Sequence, residues 1–384
     1  MKISGKRFLY VGGFQLPDKN AAAHRVLSVA NILHTLGYEV VFLDVSEEMS
    51  TYELSPAHRE AGYETYSQKR AAGIKRWGAY VLNPLHITEV LEKYTDWAGV
   101  IAYNYPSVAL HKLKRICRQR NIRIFADCTE WYQYGFALSV RRIALLFDTF
   151  FRMRVVQKKL DGLIVISQYL QKYYEAHVPL VVLPPLVDKT EPKWSGTESV
   201  AGSDGIHLAY AGSPGAKKDK LDVIVHALEK SGNSHIVLHV VGITAEEYLK
   251  SYRKDEALVA ALQTAGKLIF YGRVPHTEAL EIVKNADYTI FYRKISKMTM
   301  AGFPTKFVES ISCGVPVITN RTSDLAQYVR DGINGILLDT VRFEEELVCF
   351  FEKLKKNDDT VQTVEKDLFD FRTYVSRLES WLHG

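Results

Sequence analysis

Residues 291–319 read FYRKISKMTMAGFPTKFVESISCGVPVIT. A β-rich run ends in Arg293-Lys294, and a turn of mostly small residues, Ala301-Gly302-Phe303-Pro304-Thr305, opens a helical pattern carrying Glu309. Gly314 then stops that helix, and the chain runs straight into a second apolar stretch at 315–319. Strand, helix and strand in direct succession are the repeating unit of a parallel α/β sheet. The unpaired N–H groups at such a helix start favour an anion. A carboxylate one turn further in can accept bonds from sugar hydroxyls.

The same alternation extends in both directions. Towards the C-terminus and back to residue 206, strands are expected at 206–211, 235–241, 267–271, 288–292, 315–319 and 335–338, with helices at 221–229, 277–285 and 307–312. The N-terminal half repeats the pattern, with strands at 7–11, 39–43, 99–103, 123–126, 162–166 and 181–183 and a helix at 22–36 stopped by Gly37. Between the halves lies DKTEPKWSGTESVAGSDG, residues 188–205, a polar stretch that reads as a linker. The expectation is an α/β protein of two Rossmann-like domains facing a cleft. Residues 1–187 form an N-terminal acceptor-binding domain and 206–360 a C-terminal nucleotide-sugar-binding domain. A C-terminal helix, 361–384, could pack on either domain, the N-terminal one being the candidate.

Composition bounds the function. The 384 residues are 47% apolar and 24% charged, the proportions of a globular chain. No apolar run approaches the roughly 18 residues of a membrane span. Lys2, Lys6, Arg7 and the run 8–14 faintly resemble a signal peptide, but Gly12-Gly13 and the lack of a cleavage site favour a first strand. A net charge of +5 is too mild for a dedicated nucleic-acid binder and suits an anionic substrate or membrane surface. Cys117, Cys128, Cys313 and Cys349 are scattered without metal spacing, as reduced thiols of a cytoplasmic protein are.

Several loops carry candidate chemistry. Gly12-Gly13 follows the first strand and is either a phosphate contact or a tight turn; it is not G-x-G-x-x-G, so a Rossmann cofactor is not implied. Residues 211–218, AGSPGAKK, hold the matching place in the second half, where backbone donors and Lys218 can cradle a diphosphate, or form a solvated turn. Asp127 and Glu130, just after a strand, are candidate acid–base carboxylates or a buried structural pair. His24-Arg25 opens a helix and could touch acceptor or phosphate. In 141–159, RRIALLFDTFFRMRVVQKK, the wheel puts Ile143, Leu146, Phe147, Phe150 and Phe151 on one side and Arg141, Arg152 and Lys159 on another. That face either packs on the core or lies on an anionic membrane.

Residues 304–318, PTKFVESISCGVPVI, with Asp324-Leu325 and Asp331-Gly332-Ile333-Asn334-Gly335 after them, resemble the donor-site signature of GT-B glycosyltransferases. The retaining glycosyltransferase family 4 (group 1) is the nearest in pattern. Gly212 to Lys218 and Tyr271-Gly272-Arg273-Val274 stand in the same family order, and the first half is similar more weakly. The resemblance implies that Gly12, Gly13, Gly212, Ser213 and Lys218 bind donor phosphate. It implies that Arg273 and Val274 lie beside the base, that the backbone of Gly302, Phe303, Pro304 and Thr305 holds the distal phosphate, and that Glu309 binds the ribose. Ala301 stands where the family has a sugar-binding Glu, and Ser213 where it has an Arg that Arg293 can replace. Lys218, Arg293, Glu130 and Asp127 are then the catalytic candidates, and His24 and Arg25 contact the acceptor.

The activity so implied is transfer of a hexose from a nucleotide diphosphate sugar, UDP-linked, to a hydroxyl of a glycan or lipid-linked acceptor in polysaccharide biosynthesis, with retention. No metal and no cofactor are implied, because D-x-D, P-loop and zinc spacing are all missing. No nucleic-acid partner is implied either. The expected location is cytoplasmic, with peripheral contact at the inner face of the cell membrane. Two other readings stand beside it: a non-catalytic nucleotide-sugar-binding partner of another transferase, prompted by Ala301, and a nucleotide-sugar epimerase.

Overall fold

Continuous apolar runs become parallel strands because only a sheet covered on both faces can bury them. The computed structural model describes residues 5–17, 19–131, 140–195, 205–214, 218–355 and 364–384. It divides into two units, the first made of Met1–Val187 with Phe371–Gly384 and the second of Asp188–Asp370.

The first unit is built on β1 (Arg7–Gly12), β2 (Glu39–Ser46), β3 (His58–Glu60), β4 (Tyr63–Lys69), β5 (Trp97–Tyr103), β6 (Arg123–Cys128), β7 (Gly162–Val165) and β8 (Leu180–Val182). Their order is β3-β4-β2-β1-β5-β6-β7-β8, and only β3 and β4 pair antiparallel. Those two strands are absent from the sequence-based expectation. They are polar, joined at Ala61-Gly62 with both residues at positive φ, and β4 buries Thr65, Ser67 and Gln68. The helix Ala21–Thr35 begins at Asn20, whose side chain accepts from the Ala23 N–H, and it buries Ala23, Val26, Val29, Ala30 and Leu33.

The second unit carries β9 (Ile206–Ala211), β10 (Ile236–Val241), β11 (Leu268–Gly272), β12 (Tyr288–Ile290), β13 (Val317–Asn320) and β14 (Gly335–Leu338). All are parallel, in the order β11-β10-β9-β12-β13-β14. The chain thus winds outward from β9 to β11 and then jumps to β12 on the other flank. Ligands of open sheets bind outside the carboxyl ends of strands at such a reversal. The first unit reverses in the same way between β1 and β5.

Two boundaries differ from the sequence reading. The C-terminal helix spans only Val375–His383, because 364–370 is irregular. That helix and the turn before it place Phe371, Tyr374, Leu378 and Leu382 in one core with Phe8 and Phe125 of the first unit. Residues 188–195 are not free linker: the Lys189 ammonium donates to the Ser312 carbonyl at 2.6 Å, and Trp194 is buried. The rest of the expected linker, 196–204, and the start of the expected helix, 361–363, lie outside the described residues. All four cysteines are unpaired, and burial pushes the Cys117 and Cys313 thiols up to about 12. Cys117 and Cys128 are buried core thiols, whereas Cys349 is exposed.

A polar ladder crosses β9, β10 and β11. His207 Nδ1 lies 2.8 Å from His239 Nε2, and the Tyr271 hydroxyl lies 2.8 Å from His239 Nδ1. Burial, then the neighbouring His207, pushes His239 down to about 4. Between the ordinary histidine pKa of about 6.5 and that value, the unfolded chain takes up a proton that the folded chain refuses. The ladder's contribution is therefore complete above pH 6.5 and fades as pH falls through the window. The melting temperature of the wild type minus that of His239→Gln should drop as pH goes from 7 to 4.5; a constant difference would contradict the assignment.

Candidate functional site

The tightest backbone approach in the second unit is at the carboxyl ends of β9 and β10. Gly212 and Gly242 both have φ above +100°, and a Cβ on Gly242 would stand 2.8 Å from the Gly212 carbonyl carbon. Only glycine permits this crossing. It delivers the chain to Ser213 and Pro214, which stay at or near the surface, while Gly215, Ala216 and Lys217 of the small-residue loop lie outside the described residues. The chain then pairs with the exit of β12: Lys220 N–H donates to the Tyr292 carbonyl at 2.9 Å, and Lys294 N–H to the Lys218 carbonyl at 3.1 Å. The Asn320 side chain clamps both backbone groups of Arg293, accepting from its N–H and donating to its carbonyl. These bonds fix the loop after β12 against the loop after β9, on either side of the switch point.

Here the structure gathers charge. Asp219 Oδ1 accepts from Arg293 Nε at 3.1 Å, and Oδ2 accepts from Lys306 Nζ at 2.5 Å and from the Tyr210 hydroxyl at 3.0 Å. Asp219 and Arg293 are 6% and 7% exposed. The Lys306 ammonium lies 3.9 Å from the centre of the Tyr210 ring, and its Cε is 4.0 Å from where a Gly212 Cβ would point. Burial pulls the Lys306 pKa down, and Asp219 opposes that pull. One carboxylate thus serves two cations, and Arg293 Nη1 is buried without a hydrogen-bond partner among the described residues. Buried N–H groups are rarely left so, and a charged one is costly.

Sequence reasoning named Arg293 but missed Asp219 and Lys306. Lys306 stands in the first turn of the helix Thr305–Cys313, where a cation opposes the helix dipole; that misplacement was the available signal. Asp219 sits between Lys218 and Lys220, where no local pattern singles it out. Lys218 itself is half-buried beside this cluster.

Around the helix start, expectations separate. Pro304 caps the helix without an N–H, leaving the Thr305 and Lys306 N–H groups as its first donors. The Phe303 ring is buried against Phe307, Tyr328 and Phe369, which anchors the backbone of this turn. The Gly302 carbonyl accepts from the Ser323 hydroxyl, so this residue anchors the turn. Ala301 is fully buried in the short helix Lys297–Ala301. Glu309 is partly exposed, with Oε1 3.4 Å from His276 Nε2. His276 opens the helix His276–Lys284 directly after Arg273 and half-buried Val274, so Glu309 and the Arg273–Val274 loop do share one neighbourhood. Arg273 itself is 82% exposed in its side chain and paired with Glu247. His276, which also meets the Trp194 ring edge-on, was not anticipated.

In the first unit two assignments are corrected. Arg25 is 4% exposed: Nε and Nη2 donate to Asp127, and Nη1 donates to the Leu183 and Pro184 carbonyls. Asp127 is wholly buried and also accepts from the Tyr10 hydroxyl at 2.7 Å. This pair ties the helix Ala21–Thr35 to β6, so neither residue is placed to meet acceptor or substrate. Gly12 is glycine because a Cβ would fall 2.8 Å from Tyr103 Cβ, across the β1–β5 switch. Gly13 is exposed, and His24 and Glu130 are partly buried. Arg152 is corrected too: it is buried, donating to the Asn104 carbonyl, and is no part of a basic surface. The Arg141 side chain lies outside the described residues. Among the described residues no cluster of three His, Cys, Asp or Glu could hold a metal, and no helix is long and apolar enough to cross a membrane.

Residues 208–366, about two-fifths of the chain and all within the second unit, match the family of glycosyl transferases group 1. In fold the whole chain is similar to the Anabaena protein HepE crystallised with UDP and glucose (TM-score 0.65, 13% identity, 98% of this chain and 99% of that one). It is also similar to the catalytic domain of starch synthase IV from Arabidopsis thaliana bound to ADP and acarbose (0.68, 10%, 99% and 99%). A third similar structure is the sucrose-phosphate synthase of Thermosynechococcus elongatus (0.65, 14%, 98% and 98%). No curated protein matches in sequence. At these identities the likeness establishes the fold, GT-B.

Removing the carboxylate of Asp219 leaves two buried cations facing each other. Asp219→Ala should cost about 3–5 kcal/mol, the range for deleting one partner of a buried pair. Denaturant unfolding of both proteins measures this, and a loss below about 1 kcal/mol would mean the cluster is wet.

Proposed function

Because residues 208–366 match the family of glycosyl transferases group 1 and the whole chain has the GT-B fold, we propose that it moves a sugar, with retention, from a UDP-sugar to a hydroxyl of a glycan or lipid-linked acceptor. The observation that carries the reading is the buried Asp219–Arg293–Lys306 cluster with its unpartnered Arg293 Nη1. A nucleoside diphosphate supplies the charge that this cluster lacks. Uridine is favoured over adenosine on the likeness to HepE with UDP; the starch synthase complex with ADP makes adenosine the competitor that a binding assay must separate.

The steps follow from charge. Lys306, Arg293 Nη1 and the Thr305 and Lys306 N–H groups receive the diphosphate, joined by Gly212, Ser213 and Lys218 from the loop after β9. Glu309 accepts from ribose hydroxyls, and Arg273 and Val274 flank the base. As the bond between sugar and phosphate breaks, negative charge grows on the leaving phosphate. Fixed cations in a dry site stabilise that state more than the bound donor. The leaving phosphate takes the proton of the attacking acceptor hydroxyl, so the chemistry does not require Asp127. Glu130 and His24, with Gly12 and Gly13, are the first-unit groups proposed to meet sugar and acceptor. With Ala301 buried and lacking a carboxylate, sugar orientation falls to backbone donors at Gly302 and Thr305.

Calorimetry with UDP, ADP and their glucose conjugates tests the donor, and single-turnover assays test the chemistry. Lys306→Met should lower both affinity and the rate of transfer, because its contact strengthens in the transition state. Glu309→Ala should weaken nucleotide binding by about 1.5–3 kcal/mol with little effect on the bound-state rate. Donor binding should persist in chelator; dependence on Mg²⁺ or Mn²⁺ would overturn the cation assignment. Wild-type behaviour of both variants would overturn the site.

A further inference from the structure

One helix of the first unit exposes its apolar side to solvent. In the helix Val140–Phe151, Ile143, Leu146, Phe147 and Phe150 are 57%, 42%, 62% and 52% exposed. Their spacing of i, i+3, i+4 and i+7 aligns them along one stripe. The opposite side is the anchored one: Thr149 and the following Arg152 and Met153 are buried, and the Asp148 carboxylate accepts from the Ser107 N–H at 2.6 Å. The helix is therefore held with its large apolar residues pointing away from the core, each at least two-fifths exposed.

Charge identifies the occupant. Residues 107–119 and 140–159, which pack together, contain ten Lys or Arg and one acid, Asp148. That acid is engaged by Ser107 and by Arg152, whose Nη1 lies 3.9 Å away. Arg142, Lys112, Arg115, Arg118, Arg154 and Lys159 are exposed, and the Arg154 guanidinium lies 4.6 Å over the Phe150 ring, where cation and apolar edge meet. A protein partner covering aliphatic and aromatic side chains would need a matching acidic rim. A bilayer with anionic headgroups supplies both halves at once, apolar depth for the rings and negative charge at the level of the guanidinium groups.

We propose that Ile143, Leu146, Phe147 and Phe150, flanked by these cations, dock the first unit on an anionic lipid surface. This goes beyond the transfer reaction, since none of these residues belongs to the donor site and docking needs neither donor nor acceptor.

The test uses the full chain and vesicles of neutral phosphatidylcholine with or without 30 mol% phosphatidylglycerol. Co-sedimentation should show binding to the anionic vesicles, at least tenfold weaker binding to neutral ones, and release as NaCl rises from about 0.1 to 0.5 M. The pair Phe147→Ser with Phe150→Ser should weaken binding at least tenfold, and Arg142→Gln with Arg154→Gln should weaken it on anionic vesicles alone. Unchanged melting temperatures would confirm that these exposed positions leave the fold intact. Equal binding to both vesicle types, no binding, or variants that bind like the wild type would overturn the proposal. So would a dimer in sedimentation velocity that the Phe147→Ser, Phe150→Ser protein cannot form, because that face would then join two copies of the chain.

Discussion

A single carboxylate holding two buried cations is the constraint around which the second unit is arranged. Asp219 cannot neutralise both Arg293 and Lys306, and taking a charge out of water is repaid only by partners. Every element nearby serves to keep this imbalance in place. Gly212 and Gly242 bring two strand ends within van der Waals contact, Asn320 clamps the Arg293 backbone, and Tyr210 supplies both a hydroxyl and a ring face. The fold keeps an uneven balance of buried charge, one carboxylate against two cations, at a switch point of the sheet.

The first unit resolves a similar pairing in the opposite way. Arg25 and Asp127 are also buried, but Nε, Nη1 and Nη2 of the guanidinium each find an acceptor, and the carboxylate also receives Tyr10. A balanced pair joins a helix to a sheet and leaves nothing over for a ligand. The contrast lies in stoichiometry rather than residue type: one carboxylate to one cation in the first unit, one to two in the second.

That distinction also marks what could be read from residues alone. The parallel strands were legible because burial on both faces demands unbroken apolar runs, and the Gly-bounded helices because their stops are local. β3 and β4 were not legible, since β4 buries Thr65, Ser67 and Gln68 and so lacks the hydrophobic signal of a covered strand. Arg293 and Glu309 could be picked out from their place beside a turn and a helix start. Asp219 and Lys306 could not be paired, because 87 residues separate them and only the sheet order brings them together. Arg25 stood on the apolar side of its helix, which announces a buried partner, but the partner is 102 residues away.

The return of the C-terminus to the first unit has a bearing on how the protein is made. Phe371, Leu378 and Leu382 complete a core begun by Phe8, Phe42 and Phe125, while the whole second unit lies between them in the chain. Domains synthesised in order commonly fold N-terminal first. On the ribosome the later unit has all its residues while the earlier one still lacks residues 371–384, which cover part of its apolar core.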